Sequence, residues 1–148
     1  MYQSTKTFGH ELGLSCAFRQ WRAKSHCSKV HGYALSFKYT FEAETLDDTN
    51  WVVDFGGLKD LKQALQNAFD HKFVIALDDP LKDYFKELHV AIDFSYMTNV
   101  GCEAFAEHAY KLGELWLYDN GLQNRVRLVS CECAEHGANS ALYLGENK

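Results

Sequence analysis

Residues 18–33, FRQWRAKSHCSKVHGY, gather a cysteine (Cys27), two histidines (His26, His31) and four cations (Arg19, Arg22, Lys24, Lys29) into one short connection. Neighbouring positive charge lowers a thiol's pKa and raises its thiolate fraction, so this is a setting in which Cys27 could react. The same cations suit a phosphorylated ligand, because guanidinium and ammonium groups make charge-assisted bonds to phosphate oxygens. A solvated basic loop, with its cysteine beside a histidine by chance, is the other reading of these residues.

A second candidate is the adjacent pair Asp70-His71, a possible acid–base unit, although such pairs also occur at helix ends without a chemical role. Cys131 and Cys133 could be two metal ligands. No second cysteine pair accompanies them, which favours small buried strand residues. A small thiol or redox protein built on the same pair is the minor alternative. Glu135 follows on the same stretch, and a carboxylate at the end of an apolar face needs a partner. Cys102 falls on an apolar helical stripe and reads as core; His89 and His108 carry no partner pattern and read as structural or exposed.

The elements that must position these residues follow from periodicity. Residues 7–18 alternate, with Phe8, Leu12, Leu14, Cys16 and Phe18 on one side, which predicts a half-buried strand. From His31 to Ala43 the alternation is longer, placing Tyr33, Leu35, Phe37, Tyr39 and Phe41 on one face. The two strands form an antiparallel pair joined by the cysteine-bearing loop. Residues 47–50, DDTN, are turn chemistry. After WVVDF and Gly56-Gly57, Leu58, Leu61, Leu65 and Ala68 predict a helix that runs into Asp70-His71. Residues 73–77 and 90–94 read as short strands around an acidic connection. A second helix starts near Gly101, with Cys102, Phe105, Ala109, Leu112 and Trp116 on one stripe. Residues 126–135 form another long strand with Val129, Cys131, Cys133 and Glu135 on one face, and residues 140–144 pair back on it. The order strand, strand, helix, helix, strand, strand predicts an α+β layer: a four-stranded antiparallel sheet with two helices on one face. Its open edges call for covering or for pairing with another subunit.

Composition bounds the rest. The 148 residues are 47% hydrophobic and 24% charged with a single proline, which predicts one domain over residues 1–148 with its own core. A formal net charge of −5 argues against general nucleic-acid binding. No signal peptide and no apolar run of bilayer length is visible, so the expectation is a cytoplasmic protein without a membrane partner. The odd count of 5 cysteines then argues for reduced thiols.

Taken in order, these pieces resemble the family of 6-pyruvoyl- and 6-carboxy-tetrahydropterin synthases, of the tunnelling fold, over nearly the whole chain. The resemblance rests on C-x-x-x-H-G at residues 27–32, V-x-D-F-x-x-L-K at residues 52–59 and the Asp70-His71 dyad. Glu103 opening a helix, Glu135 ending a late strand and the following Leu142-Tyr143 extend it. It implies that Cys27 is a catalytic base or proton donor and that Asp70 and His71 relay protons. It also implies that Glu135 binds the guanidine-like edge of a reduced pterin, and that the basic loop (Arg19 and Lys29) suits the triphosphate of 7,8-dihydroneopterin triphosphate. The implied activity is a pterin-forming carbon–oxygen lyase. The implied assembly is a homo-oligomer, trimer-based, hexameric or tetrameric, with sites between subunits.

The family also holds Zn²⁺ on three histidines: one ending the first strand, two as H-G-H opening the second. Here the first position is Phe18 and the last is Tyr33, and His31 alone keeps its register. A single imidazole cannot hold catalytic zinc, which takes three protein ligands and an open position. The expectations divide three ways: a rebuilt zinc site recruiting Cys16 and His26 to His31; metal-free work on a related pterin; or a non-catalytic pterin-binding or scaffold member of the fold.

Overall fold

The computed structural model describes residues 1–146. Its centre is β3 (His31–Ala43), the long alternating strand, against which the other elements are laid. Along one edge of β3 lie two shorter strands in succession. β2 (Leu14–Phe18) pairs with its first part and β1 (Tyr2–Phe8) with its second, both antiparallel. The stretch expected as one strand over residues 7–18 is therefore split. Gly9 and Gly13 bracket a 3₁₀ turn at His10–Leu12, and Gly13 takes a left-handed φ of 71° that a side chain would resist.

On the other edge β6 (Val126–His136) and then β7 (Asn139–Leu144) complete an antiparallel order β1-β3-β6-β7, the expected four-stranded layer. The sheet does not stop there. β4 (Lys72–Ala76) runs parallel to β2, and β5 (Phe94–Met97) runs parallel to β4, giving seven strands in all. β5 begins four residues later than expected. Residues 88–92 form a turn instead, with the Ala91 and Ile92 amides donating to the Leu88 carbonyl, and Val90 is exposed.

α1 (Lys59–Phe69) and α3 (Cys102–Asp119) cover one face, with a short α2 (Lys82–Lys86) in the acidic connection. Leu61, Leu65 and Phe69 of α1 and Phe105, Ala106 and Ala109 of α3 meet Phe18, Phe37, Tyr39 and Phe41 of the sheet, all fully or nearly fully buried. The buried Tyr39 hydroxyl donates to the Ala109 carbonyl at 2.7 Å, so the one polar atom of that ring is satisfied against α3.

A bulge corrects the expected face of β6. Thr40 pairs with Ser130 but Phe41 pairs with Leu128, so Val129 is the extra residue and the alternation changes phase there. Val126, Leu128, Cys131 and Cys133 face the core, while Val129 does not. A second irregularity between Ala134 and His136 isolates Glu135 from the ladder.

Candidate functional site

The β2–β3 connection is compact and fastened. Ser25 caps a 3₁₀ turn at His26–Ser28 by accepting the Cys27 amide at 3.3 Å, and the Gln20 amide donates to the Cys27 carbonyl at 2.9 Å. Cys27 is left half-buried, the least enclosed of the cysteines; Cys16, Cys102, Cys131 and Cys133 are buried. Gly32 lets the two strands close below it, because a Cβ there would stand 2.5 Å from the Cys16 carbonyl oxygen.

The cations expected to greet a phosphate divide. Arg19 donates from Nε and Nη2 to both oxygens of Asp79 at 2.8 and 2.7 Å, and from Nη1 to the Ser28 carbonyl at 3.2 Å. Its guanidinium is thus used to tie the Cys27 turn to the acidic connection. The hydrogen bond from Arg19 holds the Asp79 carboxyl below its ordinary pKa, against the opposing effect of burial. Trp21 Nε1 and Arg22 Nη2 both donate to Asp78, at 3.1 and 3.0 Å, and the Arg22 guanidinium lies 4.1 Å from the Trp21 ring centroid. Gln20 Nε2 reaches the Val100 carbonyl at 2.7 Å, just before α3. Lys29 remains exposed. Sequence reasoning missed this clamp: Asp78-Asp79 is visible as an acidic pair, but nothing local says that its partners lie 56 to 60 residues earlier.

Tyr33, on the same face of β3 as His31, brings several of the candidates together. Burial first, and then the charges of Glu135, Cys27 and Cys102, push its phenol above its ordinary pKa. Its ring packs against His31 and His136 at centroid distances of 5.6 and 6.0 Å and against Phe18 at 6.2 Å. Tyr33 thus centres a cluster of the Phe18, His31 and His136 rings across β2, β3 and the end of β6.

Asp70 and His71 form a second. Asp70 ends α1, and His71 follows it in a left-handed conformation, φ 56°, unusual for a non-glycine residue. The His71 amide donates to the Ser15 carbonyl at 2.7 Å, and Ser15 N–H reaches Asp70 Oδ1 at 3.3 Å, which pins the turn to β2. His71 Nδ1 meets Asp70 Oδ1 at 2.7 Å while 82% of its side chain stays exposed. An oriented imidazole presenting its other nitrogen outward is suited to proton transfer with a partner from outside this chain.

The chain matches the model of the 6-pyruvoyl tetrahydropterin synthase family over residues 9–146. The chain belongs to that family. It is 26% identical to 6-carboxy-5,6,7,8-tetrahydropterin synthase of Aquifex aeolicus, an alignment covering 98% of this chain and 99% of that protein. Among solved structures its fold resembles an uncharacterized protein from Wolinella succinogenes (TM-score 0.80, 20% identity, 98% of both chains covered). It also resembles 6-pyruvoyl tetrahydropterin synthase of Plasmodium falciparum (TM-score 0.70, 14% identity, 97% of this chain and 98% of that one covered). The fold is thus that of the tetrahydropterin synthases, with the four-stranded layer extended to seven strands. No helix among the described residues is long and apolar enough to cross a membrane.

The residues at the expected zinc position do not fit the metal. Phe18 is only 2% exposed and wedged between His31 and Phe105, at centroid distances of 4.8 and 5.1 Å. His31 Nδ1 is engaged by the Lys29 carbonyl at 2.8 Å. Cys16 is a core residue, 1% exposed, whose thiol burial pushes up to about 12, far from the thiolate a metal requires. His26 is exposed at the start of its turn. Among the described residues no three side chains of His, Cys, Asp or Glu come together as a metal-holding group, so the proposed recruitment of Cys16 and His26 to His31 is not supported by the geometry.

Proposed function

We propose that this chain is a pterin-forming lyase acting on 7,8-dihydroneopterin triphosphate or a closely related reduced pterin, breaking a carbon–oxygen bond with departure of triphosphate. The single observation that carries the reading is the family match over residues 9–146, with Cys27 half-buried in a turn fastened by Ser25 and Gln20. In this reading Glu135 accepts two parallel N–H bonds from the pterin's guanidine-like edge. Cys27 exchanges a proton with the substrate side chain, and Asp70-oriented His71 relays it. Lys24 and Lys29 are the exposed loop cations left to meet phosphate, with Arg19 supporting the loop instead.

The outward presentation of His71 supports a site completed between copies of the chain, with the dyad of one subunit facing the Cys27 turn of another. Among the described residues the outer edges of β1 and β7 pair with no further strand and are available for that association. A ring-forming homo-oligomer in the cytoplasm is the matching assembly and place. The test is Cys27→Ala assayed on 7,8-dihydroneopterin triphosphate. The expected result is loss of turnover with the oligomer intact by light scattering, and full activity in the variant would overturn the role of Cys27. The second reading, a non-catalytic pterin-binding member, is favoured by the missing zinc ligands. It predicts micromolar binding of a reduced pterin that depends on Glu135, without product.

A further inference from the structure

A row of aromatic rings runs from the core to the surface at the end of β6. Phe69 of α1 meets Phe105 of α3 at 5.2 Å between centroids, and Phe105 meets Phe18 at 5.1 Å. Phe18 meets Tyr33 at 6.2 Å, and Tyr33 meets His136 at 6.0 Å. The three phenylalanines are buried, Tyr33 is half-buried, and His136 is the exposed end of the row.

That exposed ring is not left free to turn. His136 Nδ1 accepts the Ala138 amide at 3.2 Å, and Nε2 lies 3.3 Å from the Asn139 side-chain amide, so both ring nitrogens are engaged by the β6–β7 hairpin itself. An imidazole that accepts at Nδ1 carries its proton on Nε2 and is neutral. Such fastening fills no core space; it holds a flat, neutral surface in one orientation. The irregularity between Ala134 and His136 decides where that surface lies. It breaks the alternation of β6, so the His136 ring reaches Tyr33 although it follows Glu135 directly in the chain.

We propose that His136 is a specificity-determining residue of the site: an imidazole face, backed by Tyr33, against which a planar heteroaromatic ligand ring rests while Glu135 takes that ring's edge. The inference rests on the reading of the site as a pterin site and goes beyond it by naming what receives the face of the ring. Stacking contacts between rings add to the area they bury, and a surface already held in place loses little freedom when a ligand docks on it. A ligand with the same donor edge but no flat ring gains nothing from His136.

Calorimetric binding of 7,8-dihydroneopterin tests this in the wild type, His136→Ala, His136→Phe and His136→Asn, with a thermal melt of each. The last two separate the ring from the hairpin. Phe keeps a flat ring and loses both nitrogens; Asn loses the ring and keeps an acceptor for the Ala138 amide, the two-residue turn that its side chain favours. His136→Ala and His136→Asn are expected to bind about tenfold more weakly than the wild type, the scale of one base stacked on one aromatic side chain. His136→Phe is expected within about threefold of the wild type. Undiminished binding by His136→Ala overturns the proposal, and so does a loss in His136→Phe as large as that in His136→Asn. Recovery in His136→Asn but not in His136→Phe assigns the residue to the hairpin alone and overturns it too; this comparison decides even where His136→Ala fails to fold. Wild-type protein that binds no reduced pterin rejects the pterin reading and the inference with it, an outcome distinct from wild-type binding that no substitution at His136 alters.

Discussion

The Arg19–Asp79 clamp yields the most quantitative expectation. The Asp79 side chain is 1% exposed and that of Arg19 15%, and two bonds of 2.8 and 2.7 Å join them in fork geometry. Arg19→Ala leaves the carboxylate buried with only the Leu81 amide, at 2.9 Å, still donating to it. Removing one partner of such a pair costs about 3–5 kcal/mol, and the partial exposure of Arg19 places this case at the lower end. For a chain of this size that lowers the melting temperature by roughly 6–12 °C. Arg19→Lys keeps the charge but loses the fork, so an intermediate loss is expected. Since Arg19 also holds the Ser28 carbonyl, Cys27 should react faster with a thiol reagent in Arg19→Ala. The pH dependence has a definite sign. Asp79 has a depressed folded-state pKa, so its contribution is present above the unfolded carboxyl value of about 3.9 and is lost as pH falls through the lower folded value. Asp79→Asn lacks that component at neutral pH and should lose less on acidification than the wild type. Calorimetric melting curves across this range, with thiol kinetics at neutral pH, make the assay. A melting temperature for Arg19→Ala within about 2 °C of the wild type, with unchanged Cys27 reactivity, would refute the reasoning.

Other expectations are simpler to check. His71→Asn retains a residue that tolerates the left-handed conformation at φ 56°, so its melting temperature should stay near wild type while turnover falls by about a hundredfold or more; steady-state kinetics beside a thermal scan separate the two. Gly32→Ala places a Cβ against the Cys16 carbonyl and should destabilise by about 1–3 kcal/mol, read from denaturant midpoints. Thiol titration of the native protein should show Cys27 reacting first and the four buried cysteines reacting only on unfolding. A fast-reacting Cys16 would contradict its placement in the core.

Much of this architecture was legible because burial imposes a period. β3 alternates over its whole length with one face against the helices, and α1 and α3 carry single apolar stripes, so all three emerge from spacing alone. Where the reading slipped, a local event had broken or disguised the period. Phe8 and Leu14 lie in the same phase on either side of a 3₁₀ turn, so β1 and β2 read as one strand; Gly9 and Gly13 were the available signal. The apolar run at residues 90–92 imitated a strand that starts only at Phe94. The β6 bulge at Val129 moved every later residue to the opposite face, an effect of pairing with β3 that β6 cannot declare by itself. Within the site, Cys27, Asp70, His71 and Glu135 stood out by residue type and spacing. The fate of Arg19 depended on an aspartate far away in sequence, and that of Tyr33 on the rings of Phe18, His31 and His136 gathered around it by the fold.

Product analysis decides whether the chain is a pterin-forming lyase. Purified chain is mixed with 7,8-dihydroneopterin triphosphate and the mixture followed by mass spectrometry. The expected result is release of triphosphate together with a tetrahydropterin product that disappears in Cys27→Ala. Substrate recovered unchanged with the wild-type protein, at concentrations where binding is saturated, would contradict it.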